Sequence, residues 1–238
     1  MDDPEPAAGG RLSRQEISTA TGDWGWRLVL GTLVTQVPAG SLAEAADLAA
    51  RLTAFLGGTA DRRLSPDPRS DRLLLTVQAA DGTLVTGQEV DLAHRISAFV
   101  RTLGLATDAI GAASGAPRPP QGLEIAIDAL DIAAVRPFWQ AVLSYTDEPG
   151  GPDAAGGLVD PLGQGPAVWF QQMDAPRPQR NRIHIDVSVP HDEARRRVEA
   201  ALAAGGTLTY DAEAPAFWVL ADAEGNEACV CSWQGRDP

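Results

Sequence analysis

Residues 181–191 read NRIHIDVSVPH and hold two of the chain's three histidines. His184 falls in an alternating apolar–polar run, the pattern of a half-buried strand, so Asp186 and Ser188 share its face. Three chemistries are open to an imidazole set there: metal ligand, acid–base group, or polar residue at a sheet edge. A carboxylate beside it would orient the ring and make a proton-transfer pair. A second alternating run, GNEACVCSW, sets Glu227, Cys229 and Cys231 on one face in the same way. Cysteines two apart on a strand are poorly placed to bond each other, so both are expected as free thiols of a reduced protein. As a nucleophile Cys229 is weakly supported, because His184 alone is a candidate to activate its thiol. The other two histidines have plainer readings: His94 is expected to face solvent on a helix, and His191 to cap or decorate a helix start.

Bulk properties narrow the setting. The chain has 238 residues, 44% of them hydrophobic and 21% charged, which marks a globular protein with room for two domains. A net charge of −13 argues against nucleic-acid binding, which needs a basic footprint; all 19 basic residues are arginine. With no long apolar run and an acidic start, MDDPEPAAGG, neither a membrane span nor a secretory signal is expected, and the expected location is the cytoplasm.

The elements that must position these residues divide into two halves. Residues 1–10 read as a loose tail, and GAASGAPRPPQG marks a linker assigned to 111–121. Residues 11–110 read strand, helix, strand, helix. WRLVLGTLVTQVP is a strand or a hairpin turning at Gly31, and DRLLLTVQA is an apolar strand. One helix opens with Ser41 and Glu44 at capping-box spacing and aligns Leu48, Leu52, Phe55 and Leu56. Another opens with Thr86 and Glu89 and aligns Leu92, Ile96, Phe99, Val100 and Leu103. This is a small α+β domain: an antiparallel sheet with two helices on one face. Residues 122–236 repeat themselves. LEIAIDALD runs into IAAVRPFWQAVL, RIHIDVSVPHD runs into EARRRVEAALAAGG, and the period is about 60 residues. Two copies of a βαβββ module follow. Pro137 makes the first helix either start late or kink, and Arg195, Arg196 and Arg197 face different sides of the second helix and read as solvated surface.

ALDIAAVRPFWQAVLSY, VWFQQMDAPRPQRNRIHIDV and WVLADAEGNEACVC resemble the vicinal oxygen chelate superfamily, in its glyoxalase-like branch, over essentially all of residues 122–236. Ser144 departs from the usual Leu-Gly-Tyr. The resemblance implies that the paired βαβββ modules curl into a cup. RLSRQEI, WGWRL with Trp26, the helix after Ser41 and TGQEVDLAHRISAF look like a pterin-4a-carbinolamine dehydratase domain. That family's His-His-Pro cluster falls on Arg62, Arg63 and Leu64, and its later histidine on Leu74. Arginine stays protonated and cannot shuttle protons near neutral pH, so the resemblance implies the fold without the dehydratase activity.

In metal-dependent members of the chelate superfamily four cup side chains hold a divalent metal. Carried onto this chain, the positions are Glu124, Trp169, His184 and Cys229. Tryptophan cannot ligate, so the expectation is no cofactor, with a three-ligand Glu124, His184 and Cys229 site as the chemical alternative. Parity then brings Asp128 beside Glu124, Gln171 beside Trp169, and Asp186 and Glu227 into the same cup. The expected function is a metal-independent lyase or isomerase acting on a small organic molecule, with His184 as acid–base group and Glu227 or Glu124 as its partner. In that reading Trp169, Gln171, Asp186, Asp128, Trp218 and Cys229 contact the substrate. One alternative is a non-catalytic binding or resistance protein in which Trp169 and Trp218 stack on a planar natural product; another is dehydratase activity, opposed by the missing histidines. Both resemblances imply a homodimer. The remaining alternative is that these polar residues bond one another and seal an unused cup.

Overall fold

The computed structural model describes residues 12–82, 84–111, 120–149, 156–176 and 183–235. The chain divides into two units, 1–122 and 123–238, each with its own apolar cluster. The expected tail, and most of the expected linker (112–119), lie outside the described residues.

The first unit runs α1 (Arg14–Gly22), β1 (Arg27–Val29), β2 (Thr32–Pro38), α2 (Leu42–Leu56), a 3-10 turn (Gly57–Ala60), β3 (Leu64–Pro68), β4 (Arg72–Val77) and α3 (Gly87–Thr102). Its strands form one antiparallel sheet in the order β1-β2-β4-β3. Leu33 and Val37 of β2 and Leu73, Leu75 and Val77 of β4 alternate onto one face, where they join Leu48, Leu52, Ile96 and Val100 of the helices in a single cluster. The β1–β2 hairpin turns on Leu30 and Gly31, both at positive φ (45° and 76°), which suits the right-handed twist of a two-residue hairpin.

Among the described residues of this unit, three α-helices stand where two were expected. The third, α1, starts at a full capping box between Ser13 and Glu16, a signal present in RLSRQEI. The fourth strand, β3, reads LSPDP; its prolines hide it as a strand and suit its place at the sheet edge. Phe55 leaves the expected stripe: it is half exposed and stacks on Phe99 with ring centres 4.5 Å apart. His94 is half-buried rather than solvent-facing, its Nε2 2.8 Å from the Ala20 carbonyl and its ring 4.7 Å from that of Trp24. Arg63, at a position where the dehydratase resemblance would need histidine, forms an ion pair with Glu89. Glu89 is only 1% exposed and also closes the Thr86 capping box at the start of α3.

The second unit contains β5 (Glu124–Ala129), α4 (Ile132–Leu143), β6 (Thr146–Asp147), β7 (Leu158–Val159) and β8 (Ala167–Gln172), then β9 (Ile185–Ser188), α5 (His191–Ala203), β10 (Thr207–Tyr210), β11 (Phe217–Ala221) and β12 (Glu227–Cys231). Each set is a βαβββ module whose sheet has the order first-fourth-third-second strand. The first and fourth strands run parallel, and the remaining pairs antiparallel. Phe138 and Trp139 of α4, Val198 of α5, and Val168, Leu220 and Val230 of the sheets share one buried cluster.

Pro137 lies inside α4, past its first turn, because Asp131 caps the helix early by accepting the Ala134 N–H. The Ala133 carbonyl therefore loses its usual donor four residues on. Of the three successive arginines on α5, Arg197 is not simply solvated: it donates to the Val142 carbonyl at 3.1 Å and pairs with Glu193, tying α5 to α4. Among the described residues no helix is long and apolar enough to cross a membrane.

Candidate functional site

Four residues of β9 suffice to bring the second module's polar side chains together. Parallel pairing with β12 sets Asp186 opposite Cys229 and Ser188 opposite Cys231. Antiparallel pairing of β12 with β11 sets Val219 opposite Cys229 and Phe217 opposite Cys231. Parity puts these residues on one face of the sheet. There Asp186, Glu227, Cys229, Cys231, Phe217 and Val219, together with His184, line a cavity of about 320 Å³. His184 itself stands just ahead of β9 rather than inside it, the strand beginning at Ile185.

A second cavity, of about 870 Å³, draws on both modules. Ala126 and Asp128 of β5, Ile183 to Ile185, Met173 and Glu224 to Glu227 line it, with Trp139 at its wall. His184 and Glu227 line both cavities and so stand between them. The β11–β12 turn that carries Glu227 is built on Asp222, which is almost fully buried. Its carboxylate accepts the N–H groups of Glu224 and Asn226 at 2.9 Å each, the Asn226 amide at 2.8 Å and the Trp139 indole N–H at 2.9 Å. Gly225 turns the chain at φ 87°. Glu224 in turn accepts the N–H groups of Leu130 (2.8 Å) and Asp131 (2.6 Å), holding the turn against the end of β5. Sequence reasoning missed Asp222 and Glu224, although DAEGN announces a side-chain-built turn.

His184 Nε2 lies 3.3 Å from Asp186 Oδ1. Asp186 is therefore the carboxylate paired with this imidazole, where Glu227 or Glu124 was expected; Glu227 shares its cavities, and Glu124 does not line either. Asp128 lies in the larger cavity. Cross-strand pairing sets Trp169 beside Ala126 and Gln171 beside Asp128, so both point to the same open face of the first sheet. Trp169 is 39% exposed there, and Gln171 donates to the Gln172 carbonyl at 3.4 Å. Trp218 is a correction: strand parity turns it away from Phe217 and Val219, and it packs against the buried cluster under the helices. It cannot stack on a ligand held by the opposite face.

The Cys229 thiol is pushed up to about 12, first by burial, then by donating to the Asp186 carboxylate, with the charges of Asp186, Cys231 and Glu227 adding to the effect. It is a protonated, inert thiol near neutral pH.

The same registers test the four-position metal set. Asp186 faces Cys229 as Ala126 faces Trp169, and two residues back along each first strand lie His184 and Glu124. The four positions are therefore equivalent in the two modules, but their chemistry does not fit a shared metal. Trp169 offers no donor. Among the described residues, the group of ligating atoms lying within 4.8 Å of one another is His184, Asp186 and Cys229, without Glu124.

Residues 124–231 match the family model described as a glyoxalase-like domain. No curated protein matches the chain. Among solved structures, the chain is similar to a glyoxalase-related enzyme from Fulvimarina pelagi, with 17% identity over 47% of this chain and 87% of that one and a TM-score of 0.39. It is also similar to a transcriptional coactivator/pterin dehydratase from Brucella melitensis, with 17% identity over 37% of this chain and 97% of that one and a TM-score of 0.33. A fosfomycin resistance protein from Mesorhizobium loti is similar at 12% identity over 47% of this chain and 91% of that one, with a TM-score of 0.38.

Proposed function

We propose that the C-terminal unit binds a small organic molecule in the cavity its two modules share and acts on it as a lyase or isomerase, His184 taking and returning the proton. The observation that carries this reading is the place of His184 between the two cavities with Asp186 3.3 Å from its Nε2. A carboxylate there holds the ring in one tautomer and stabilises the imidazolium formed when the proton arrives. Apolar walls from Met173, Pro176 and Ile183 shed water from a ligand, while Asp128 and Glu227 supply polar anchors. Proton transfer of this kind needs no metal. The first unit does no acid–base work in this reading, since Arg63 is engaged by Glu89.

The test begins with a thermal-shift panel of small molecules on the full chain, followed by turnover assays on each hit in the presence of a chelator. His184→Ala is expected to lower turnover by about 100- to 10,000-fold while leaving the ligand's Kd nearly unchanged. Trp169→Ala is expected to spare turnover. The rival reading, a binding protein without chemistry, draws on one observation: Trp169 stands partly exposed on the open face next to the cavity. It wins if Trp169→Ala abolishes binding, His184→Ala does not, and no bound compound is converted.

A further inference from the structure

We propose that His184, Asp186 and Cys229 form a site for a thiophilic divalent cation of the zinc class, built entirely within the second module in place of the four-position set shared between two. The inference goes beyond the proposed function and does not depend on it. Three donors of three kinds, an imidazole nitrogen, a carboxylate oxygen and a sulfur, lie within 4.8 Å of one another. Two donors on a tetrahedral ion with bonds of about 2.1 Å sit about 3.4 Å apart, and His184 Nε2 and Asp186 Oδ1 are already at 3.3 Å. The ladder sets Asp186 opposite Cys229, so two donors are placed by the sheet itself, and the third joins from the residue just before it.

Burial grades across the cluster in the way a loaded site requires. Cys229 is 7% exposed at the floor of the small cavity, whereas His184 and Asp186 are exposed above it. An ion entering from the cavity meets the two exposed donors first and the sulfur last, and its remaining position faces the cavity. The donor set selects the metal: magnesium and calcium take six or more oxygens, whereas sulfur with nitrogen suits zinc or cobalt. On binding, the Cys229 thiol releases its proton to solvent and the imidazole lone pair goes to the metal. His184 and Asp186 are thus a proton-transfer pair when the site is empty and, with Cys229, a cation site when it is filled. A bound cation silences His184 as a base.

Cobalt titrated into the metal-free full-length protein reports the site without any activity assay. The expected result is stoichiometric binding with the visible absorption of tetrahedral cobalt and a near-ultraviolet thiolate-to-cobalt band, both displaced by zinc. Cys229→Ser removes the thiolate band, and Asp186→Asn, at an exposed position that leaves folding intact, weakens binding by about 10- to 100-fold. Glu124→Gln leaves it unchanged. No thiolate band in the parent, a band that survives Cys229→Ser, or a Glu124→Gln loss equal to that of Asp186→Asn overturns the proposal. These spectra do not depend on turnover, so they fail or succeed separately from the lyase or isomerase reading.

Discussion

At the scale of the residue, one carboxylate sets the behaviour of two neighbours. Asp186 faces His184 Nε2 and accepts from the Cys229 thiol, so it orients the first and adds to the burial that keeps the second protonated. Sequence parity had already placed Asp186, His184 and Cys229 on one side of their strands. It did not rank Asp186 above Glu227 or Glu124 as the partner, because parity gives a face and not a distance. In the metal-free protein Cys229 should therefore react slowly with iodoacetamide at neutral pH, and its rate should climb as pH rises towards about 12. Asp186→Asn removes the charge that helps hold the proton and leaves only a neutral amide acceptor, lowering the thiol's pKa. Labelling of Cys229 at pH 8, followed by mass spectrometry, should then accelerate by about tenfold for each unit of that fall. An unchanged rate would mean that Asp186 does not help hold this proton.

At the scale of the element, the first unit depends on how its third helix is capped and paired. The start of α3 depends on Glu89, which closes the Thr86 cap and is paired with Arg63 while almost fully buried. Arg63→Ala leaves that carboxylate buried without its cation, a loss expected to cost about 3 kcal/mol in urea unfolding. Arg63→His, the residue the dehydratase resemblance would ask for, should recover less than half of this near neutral pH, because a neutral imidazole brings no charge. A cost within error of zero for Arg63→Ala would show that the cap alone satisfies Glu89. The elements missed in the sequence were hidden for different reasons: α1 buries only Ile17 and Thr21, too few for an apolar stripe, and β3 carries two prolines.

Across the whole C-terminal unit, the larger cavity is a property of two modules at once. Neither βαβββ copy encloses it alone, since β5 contributes from one and His184, Ile185 and Glu227 from the other. A ligand bound there links the modules thermodynamically. At a concentration one hundred times its Kd it should slow exchange of the most stable amides of β5 and β12 together, by about 100-fold in each, as read by hydrogen–deuterium exchange. Protection confined to one module would place the ligand outside this cavity. The turn built on Asp222 serves the same unit-wide role, joining the indole of α4 to the strand that presents Glu227.

The amino-acid sequence by itself determined the repeat, the strand and helix character of each module, and the face on which His184, Asp186, Glu227 and Cys229 lie, because periods of two and 3.6 are written into the order of apolar residues. Caps were equally legible at Ser41 and Thr86, since they depend on residues three apart. What only the tertiary structure decided depends on contacts between distant segments. The β9–β12 ladder chose Asp186 as the neighbour of Cys229, the core under the helices took one side of Trp218, and Glu124 was left apart from the cluster it was expected to join. Periodicity fixes which way a side chain points, but which side chain it meets is settled by the pairing of strands that lie some forty residues apart.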